Sequence, residues 1–439
     1  MEPAGLSSGR RLLLAALSAV AVANIYHAQP LLARIGADLA IPEQHVGWIV
    51  GIGQIGYLLG LVALVPLGDL ADRRLLMAAH VAFTAIGTGL IALSDTSVGV
   101  LAGAALAGLF SVVVQIAVAY AAAVSSPAER GRNIGAVTSG VVIGILAART
   151  VAGTLADAAG WRTVYAASTL ASLAIAGAVL ALLPREARQK RDRGYLRAVS
   201  SALRLPLSDR TFRGRALLCF FLFASFGTLW SGIALPLSDE PWNLSATQIG
   251  LLGIAGLTGA LGAARAGRWA DRGLATPVTG WSLLLLILSW MFTAQAPHSL
   301  PLLVIGVVAL DFAVQAVHVT SQHLVTAGRP EAASRTIGAY MVFYSLGSAL
   351  GAVSTTWAYS TAGWALTSLL GAAYGVAALV VWAFSRHDAR FAPSARRPVG
   401  AGALGRDVGS WVSPDRQGGT RPIVRRLTAP RGVGGPPAR

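Results

Sequence analysis

The sequence predicts an all-α membrane protein, and three observations carry that expectation. Of 439 residues, 54% are hydrophobic and only 12% charged, with a mean hydropathy of +0.62; a soluble domain holds about twice that charged fraction. The apolar residues gather into twelve stretches, each long enough to cross a hydrocarbon core of about 30 Å as a helix. The basic residues fall almost wholly on one side of the resulting path.

The stretches run at about 12–35, 46–68, 75–95, 97–124, 133–156, 163–183, 214–236, 248–266, 276–296, 301–326, 336–358 and 363–385. The first follows Arg10 and Arg11 as a secretory signal would. It runs on into polar residues and Pro30 without a small-residue cleavage pattern, so it is expected to stay as a span. Links such as AQAPHSLP (294–301) leave no room for soluble domains between spans. A charged loop, 184–213, divides the chain into six-helix bundles at 1–183 and 214–385. Residues 386–439, rich in Arg, Pro and Gly, are expected to form a disordered basic tail that can touch anionic lipid headgroups through its eleven arginines.

Orientation follows from the arginines. With both termini cytoplasmic, 32 of the 35 basic residues lie on the cytoplasmic side; Arg34 and Arg162 lie outside, and Arg149 lies within a span. The acids Asp38, Glu43, Asp95, Asp157, Asp239 and Glu240 are all outside. This is the positive-inside pattern, and it accounts for the net charge of +16 without a nucleic-acid partner.

The two halves also repeat. PAERGRNIGA (127–136) and PEAASRTIGA (330–339) stand before the fifth and eleventh spans at an offset of 203 residues, which also pairs Gly144 with Gly347 and AGW (159–161) with AGW (362–364). GDLADRR (68–74) and GRWADRG (267–273) follow the second and eighth spans at a similar offset. Such internal repeats are common in transporters.

In these last two segments the chain resembles the major facilitator superfamily. Gly68, Leu70, Ala71, Asp72 and Arg73 look like its G-x-L-A-D-R loop between the second and third helices, with Asp69 and Arg74 in the same switch loop, and Gly267, Ala270, Asp271 and Arg272 look like the second copy. The resemblance covers about residues 11–385 and implies a conformational lock, in which an acid near a helix end and its neighbouring arginines hold an inward-facing junction closed. Two other motifs depart from the family. The fourth-span arginine of many drug/proton antiporters is absent, and GILAAR (144–149) stands where many have G-P-x-x-G-G. The motifs themselves therefore do not specify an antiporter.

The resemblance also implies that spans one, four, seven and ten line a central cavity, and the polar residues collect on these. The first has Asn24, Tyr26, His27 and Gln29; the fourth has Gln115 and Tyr120; the seventh has Trp230 and Ser231. The tenth has Asp311, Gln315, His318 and Gln322, spaced by four, three and four residues and so on one helix face. Gln115 and His318 correspond at the 203 offset. Of the acids and bases only Asp311 and Arg149 sit deep in a span, where each costs about 2.5–3.5 kcal/mol unless it meets water or a partner. By helical rise Asp311 lies about 15 Å from Pro301, near the midplane.

Asp311 there could gain or lose a proton as the cavity opens to either side, and His318, two turns on, could share it. Alternatively, Asp311 is held by a salt bridge to Arg149 or by hydrogen bonds and only fixes helix packing. His318 and Gln115 serve equally as ligand contacts or interhelical hydrogen bonds, Arg149 as an anion site or a structural partner, and His27 as an interfacial residue. Gly135, Gly140, Gly144 and Gly153 are read as close helix packing.

Enzyme classes fall away. The single lysine, Lys190 in QKRD, makes no GK[ST] phosphate loop, and the single cysteine, Cys219, makes neither an intrachain disulfide nor a multi-cysteine metal site. His318 and His323, five residues apart, share a helix face poorly, so no metal is expected, and no cofactor. The expectation is a monomeric secondary active transporter of the bacterial cytoplasmic membrane, moving a small solute by alternating access. The resemblance suggests a drug- or sugar-type exporter driven by protons through Asp311. Proton-coupled import of an organic solute is the alternative, an anionic one if Arg149 faces the cavity. A non-transporting sensor that signals through the tail is the rival from another class.

Overall fold

The structure is a computed structural model that describes residues 6–126, 129–185, 195, 209–262, 264–327 and 333–391. Most of the 184–213 loop and the tail beyond 391 lie outside the described residues, as do the side chains of Asp69, Asp271 and Arg335. Among the described residues all regular structure is helical.

Helix ends follow local chemistry. Asp72 caps Arg73–Leu93 by accepting from the Arg74 amide at 2.9 Å, and Asp209 caps Arg210–Gly232 through the Phe212 amide at 3.0 Å. Ser245 and Gln248 form a reciprocal capping box ahead of Ala246–Gly262, each side chain accepting from the other's amide. In the first span, Pro30 sits in a short 3-10 turn, Gln29–Leu31, and the path continues to Asp38.

Among the described residues, ten helices are long and apolar enough to cross a membrane. One of them, Thr336–Arg386, breaks at Ala362 and Gly363, while Ala246–Gly262 is apolar but only 17 residues long. A count of twelve rests on reading the broken helix as two crossings and the short one as a crossing.

The repeat is visible in the backbone. Gly160 and Gly363, paired by the 203 offset, both have positive φ, 85° and 66°, at the bend before a buried tryptophan. Each indole N–H is tied down, Trp161 to Asp38 at 3.1 Å and Trp364 to the Thr293 carbonyl at 2.8 Å. Gly144 and Gly347 also match. A Cβ on either would collide with a backbone carbonyl of the first helix in its own half, Ala19 or Phe220.

Close backbone contacts between the halves gather at one end. There Gly47 lies against the Ala352 carbonyl, Gly153 against that of Ala246 and Gly250 against that of Arg149, all across the seam. Asp157, at the end of Arg130–Ala159, accepts from the amides of Ala246 (3.3 Å) and Thr247 (2.8 Å) in the other half and pairs with Arg34. At the opposite end, Gly135 and its repeat partner Gly338 have nothing within 4 Å of a Cβ position. Of the four glycines read as packing contacts, Gly140, Gly144 and Gly153 are such contacts and Gly135 is not.

Candidate functional site

Arg149 and Asp311 come from opposite halves to one buried cluster, but no ion pair within 4 Å joins them; an indole stands between. The Arg149 guanidinium lies 3.6 Å from the centre of the Trp230 ring and 5.2 Å from that of Tyr26. Its Nε donates to Gln29 Oε1 at 2.9 Å. Trp230 turns its Nε1–H the other way, onto Asp311 Oδ1 at 3.3 Å. Arg149 and Asp311 are 3% and 4% exposed, so neither charge reaches bulk water. Among the described residues Arg149 Nη2 and Asp311 Oδ2 have no hydrogen-bond partner. Glycines make the room: a Cβ on Gly256 would run into Asp311 Oδ2 and come within 2.8 Å of Trp230 Cζ2.

Aromatic rings extend the cluster. Tyr26 OH and Tyr344 OH share a hydrogen bond at 2.6 Å, and Tyr344 packs on Phe223 at 4.2 Å between centroids. Phe223 in turn meets His318 at 5.1 Å. His318 is engaged on both nitrogens, with Gln322 at 2.9 Å and Tyr340 at 3.3 Å, and has no direct contact with Asp311. Gln315 is half-buried between them. Gln115 donates to Tyr57 at 3.2 Å.

The polar residues of the first span divide by face. Tyr26 and Gln29, three apart, reach Arg149. Asn24 and His27, also three apart, turn to the Trp161–Leu182 helix, where Asn24 accepts from Ser168 and His27 meets the Tyr165 ring edge-on at 6.4 Å. His27 and Ser168 line a mostly apolar groove of about 230 Å³ with Gly144 and Val164.

The two G-x-L-A-D-R-like loops differ. In the first, Asp72 caps its own helix and Arg74 donates to the Leu180 carbonyl, near the end of Trp161–Leu182, where Arg10 also donates to Leu182 at 3.0 Å. These cations satisfy the free carbonyls of a helix C-terminus within one half. Arg73 is buried beside Gly68. In the second, Gly267 lies within a short helix, Ala264–Trp269, and Asp271 and Arg272 lie in the π-turn that follows, with Gly273 at φ 80°.

Sequence reasoning named Trp230 only in passing and missed Tyr344, Gly256 and Asp157. An indole in a polar-poor span was the one available signal for Trp230. Partners for Gly256 and Asp157 lie in other helices, beyond any local pattern.

Two repeat-related helical halves closing over a buried polar seam define a membrane transporter. The sequence profile described as Major Facilitator Superfamily matches residues 12–238 and 216–430, and the chain belongs to that family. It is 39% identical over 386 residues to the uncharacterized transporter YgaY of Escherichia coli O157:H7, covering 88% of this chain and 98% of that one. Among solved structures it is similar to a bacterial homolog of the human lysosomal transporter Spinster, in an inward-facing and unoccupied conformation, with TM-score 0.73, 16% identity, and 88% and 98% of the two chains covered. It is also similar to the human organic anion transporter MFSD10, with TM-score 0.62, 17% identity, and 86% and 100% covered. The chain is thus a multi-pass membrane protein of a transporter family, not an enzyme.

Proposed function

We propose that this transporter is a proton-coupled secondary active carrier, working as a monomer in a bacterial cytoplasmic membrane, with twelve crossings and both termini cytoplasmic. A small solute and a proton are carried through the cluster around Asp311, with Arg149, Gln29, Tyr26, Gln315, His318, Gln322 and Gln115 along the path; Asn24 and His27 support it from behind. The observation that carries this reading is the meeting of Arg149 and Asp311, one charge from each half, at the seam that must open and close. In this orientation the tightly packed end is the outer one, so the conformation is closed to the outside.

Export is the direction suggested by the family resemblance. Import of an organic anion is the second reading, favoured by the unpartnered Arg149 nitrogen, and the organic anion named for the MFSD10 neighbour agrees with it. The test is proton movement in proteoliposomes loaded with a pH-sensitive dye, with Asp311→Asn in parallel. A compound that moves protons with the parent and not with the variant supports the reading. Equal movement in both removes Asp311 from the proton path.

A further inference from the structure

The two orphaned atoms at the cluster have opposite needs. Arg149 Nη2 is a buried donor without an acceptor, and Asp311 Oδ2 is a buried acceptor without a donor. The guanidinium Nε is taken by Gln29 and its face by Trp230 and Tyr26. One N–H edge is left for an incoming acceptor, and a carboxylate is the acceptor that a guanidinium edge matches best.

We propose that the site takes an aromatic monocarboxylate together with one proton, the carboxylate on Arg149 and the proton on Asp311, so that both travel in the same direction. The proposal rests on the reading of Asp311 as the proton site.

Charge balance gives the sign of the coupling. The groups facing Asp311 are Trp230 from Arg210–Gly232, Tyr26 from Ser8–Tyr26, Arg149 from Arg130–Ala159, and only the glycines 256 and 259 from Ala246–Gly262. His318, on its own helix, is held away by Tyr340 and Gln322. Arg149 and Asp311 are therefore the opposing charges of one enclosed site. With Asp311 ionised the empty site is neutral. An anion added to Arg149 leaves it negative, and a proton added to Asp311 leaves it positive. Both together make it neutral again. In a water-poor interior the two singly loaded states are the unfavourable ones, so proton and anion each promote binding of the other by the same factor. A cationic solute would instead compete with the proton at Asp311.

The ring comes from the walls. Tyr26 and Trp230 lie against Arg149, and Phe226, Phe223 and Tyr344 continue from Trp230 ring to ring, with neighbouring centroids 4.2–6.3 Å apart. Flat π-faces accept another ring by offset or edge packing. An aliphatic acid would leave those faces unused.

The probes are benzoate and benzylamine, each added to the purified full-length parent in weakly buffered solution while protons are counted. Above the midpoint of Asp311 benzoate is expected to drive proton uptake, and below it benzylamine is expected to drive proton release. Infrared difference spectra follow the carboxyl band that Asp311→Asn removes, and saturating benzoate is expected to raise its midpoint by about one pH unit, equal to about a tenfold change in benzoate affinity. In Arg149→Gln the band persists and benzoate no longer moves it. Release on adding benzoate, or no proton change with it, overturns the proposal, and in that case a response to benzylamine leaves Asp311 as a proton site for cations. If no carboxyl band distinguishes the parent from Asp311→Asn at any pH, the proton-site reading fails as well. The parent measurement needs no variant to fold.

Discussion

The guanidinium of Arg149 lies 3.6 Å above the indole of Trp230, a stacking contact made across the seam between the halves. A desolvated cation–π pair of this kind contributes about 2 kcal/mol. Trp230→Phe keeps a ring under Arg149 and removes the donor to Asp311; Trp230→Leu removes both. Proton-coupled flux is expected to fall in the first and to be lost in the second, with thermal midpoints in detergent falling in the same order. Unchanged flux in Trp230→Leu would take the indole out of the pathway.

Gly256 faces Asp311 so closely that any Cβ must displace the carboxylate or the indole. Gly256→Ala is expected to abolish flux while the protein still reaches the membrane. Gly135→Ala meets open space and is expected to leave flux intact and to stabilise its helix by about 0.5–1 kcal/mol. Uptake assays on the two variants, side by side, check the contrast.

Gly160 and Gly363 hold backbone angles that only glycine adopts freely, φ 85° with ψ 159° and φ 66° with ψ −159°. Nothing lies within 4 Å of either Cβ position, so alanine there tests strain alone. Each substitution is expected to destabilise by about 1–3 kcal/mol and by similar amounts. Thermal unfolding of the single variants measures this, and a large inequality would mean that the repeat is not mirrored in its energetics.

Asp157→Asn is expected to loosen the tightly packed end. The carboxylate serves two amides of the opposite half and Arg34, and charge-assisted capping of this kind is worth about 1–2 kcal/mol. Cys219 is buried, so cysteines placed at Glu43 and Ser360 can carry spin labels with little background. A longer-distance population that grows in Asp157→Asn is the expected result. Identical distance distributions would reduce Asp157 to an ornament of the seam.

The apolar helices were legible because lipid permits little else: long apolar stretches in series leave few alternatives. The repeat was legible too, since Gly144 and Gly347, or Gly160 and Gly363, are fixed by backbone demands that leave a residue type behind. The two exceptions to the arginine pattern also make sense in three dimensions, because Arg34 pairs with Asp157 and Arg162 with Asp38 and Asp95. Which face of the first span meets Arg149 was readable in principle from the interleaved i, i+3 pairs 24/27 and 26/29. That Trp230 would part Arg149 from Asp311 was not, because it depends on how three helices from two halves come together.

Asp157 has one more consequence. It occupies the last turn of its own helix, Arg130–Ala159, where the macrodipole is negative and a carboxylate is unwelcome, yet it meets the first amides of Ala246–Gly262, where the dipole is positive. Separation of the halves would leave this carboxylate at the wrong pole, with Arg34 and water to offset it. The acid thus behaves like a latch that fits best when the neighbouring half is in place, and an outward-open state gives up that fit until the seam shuts again.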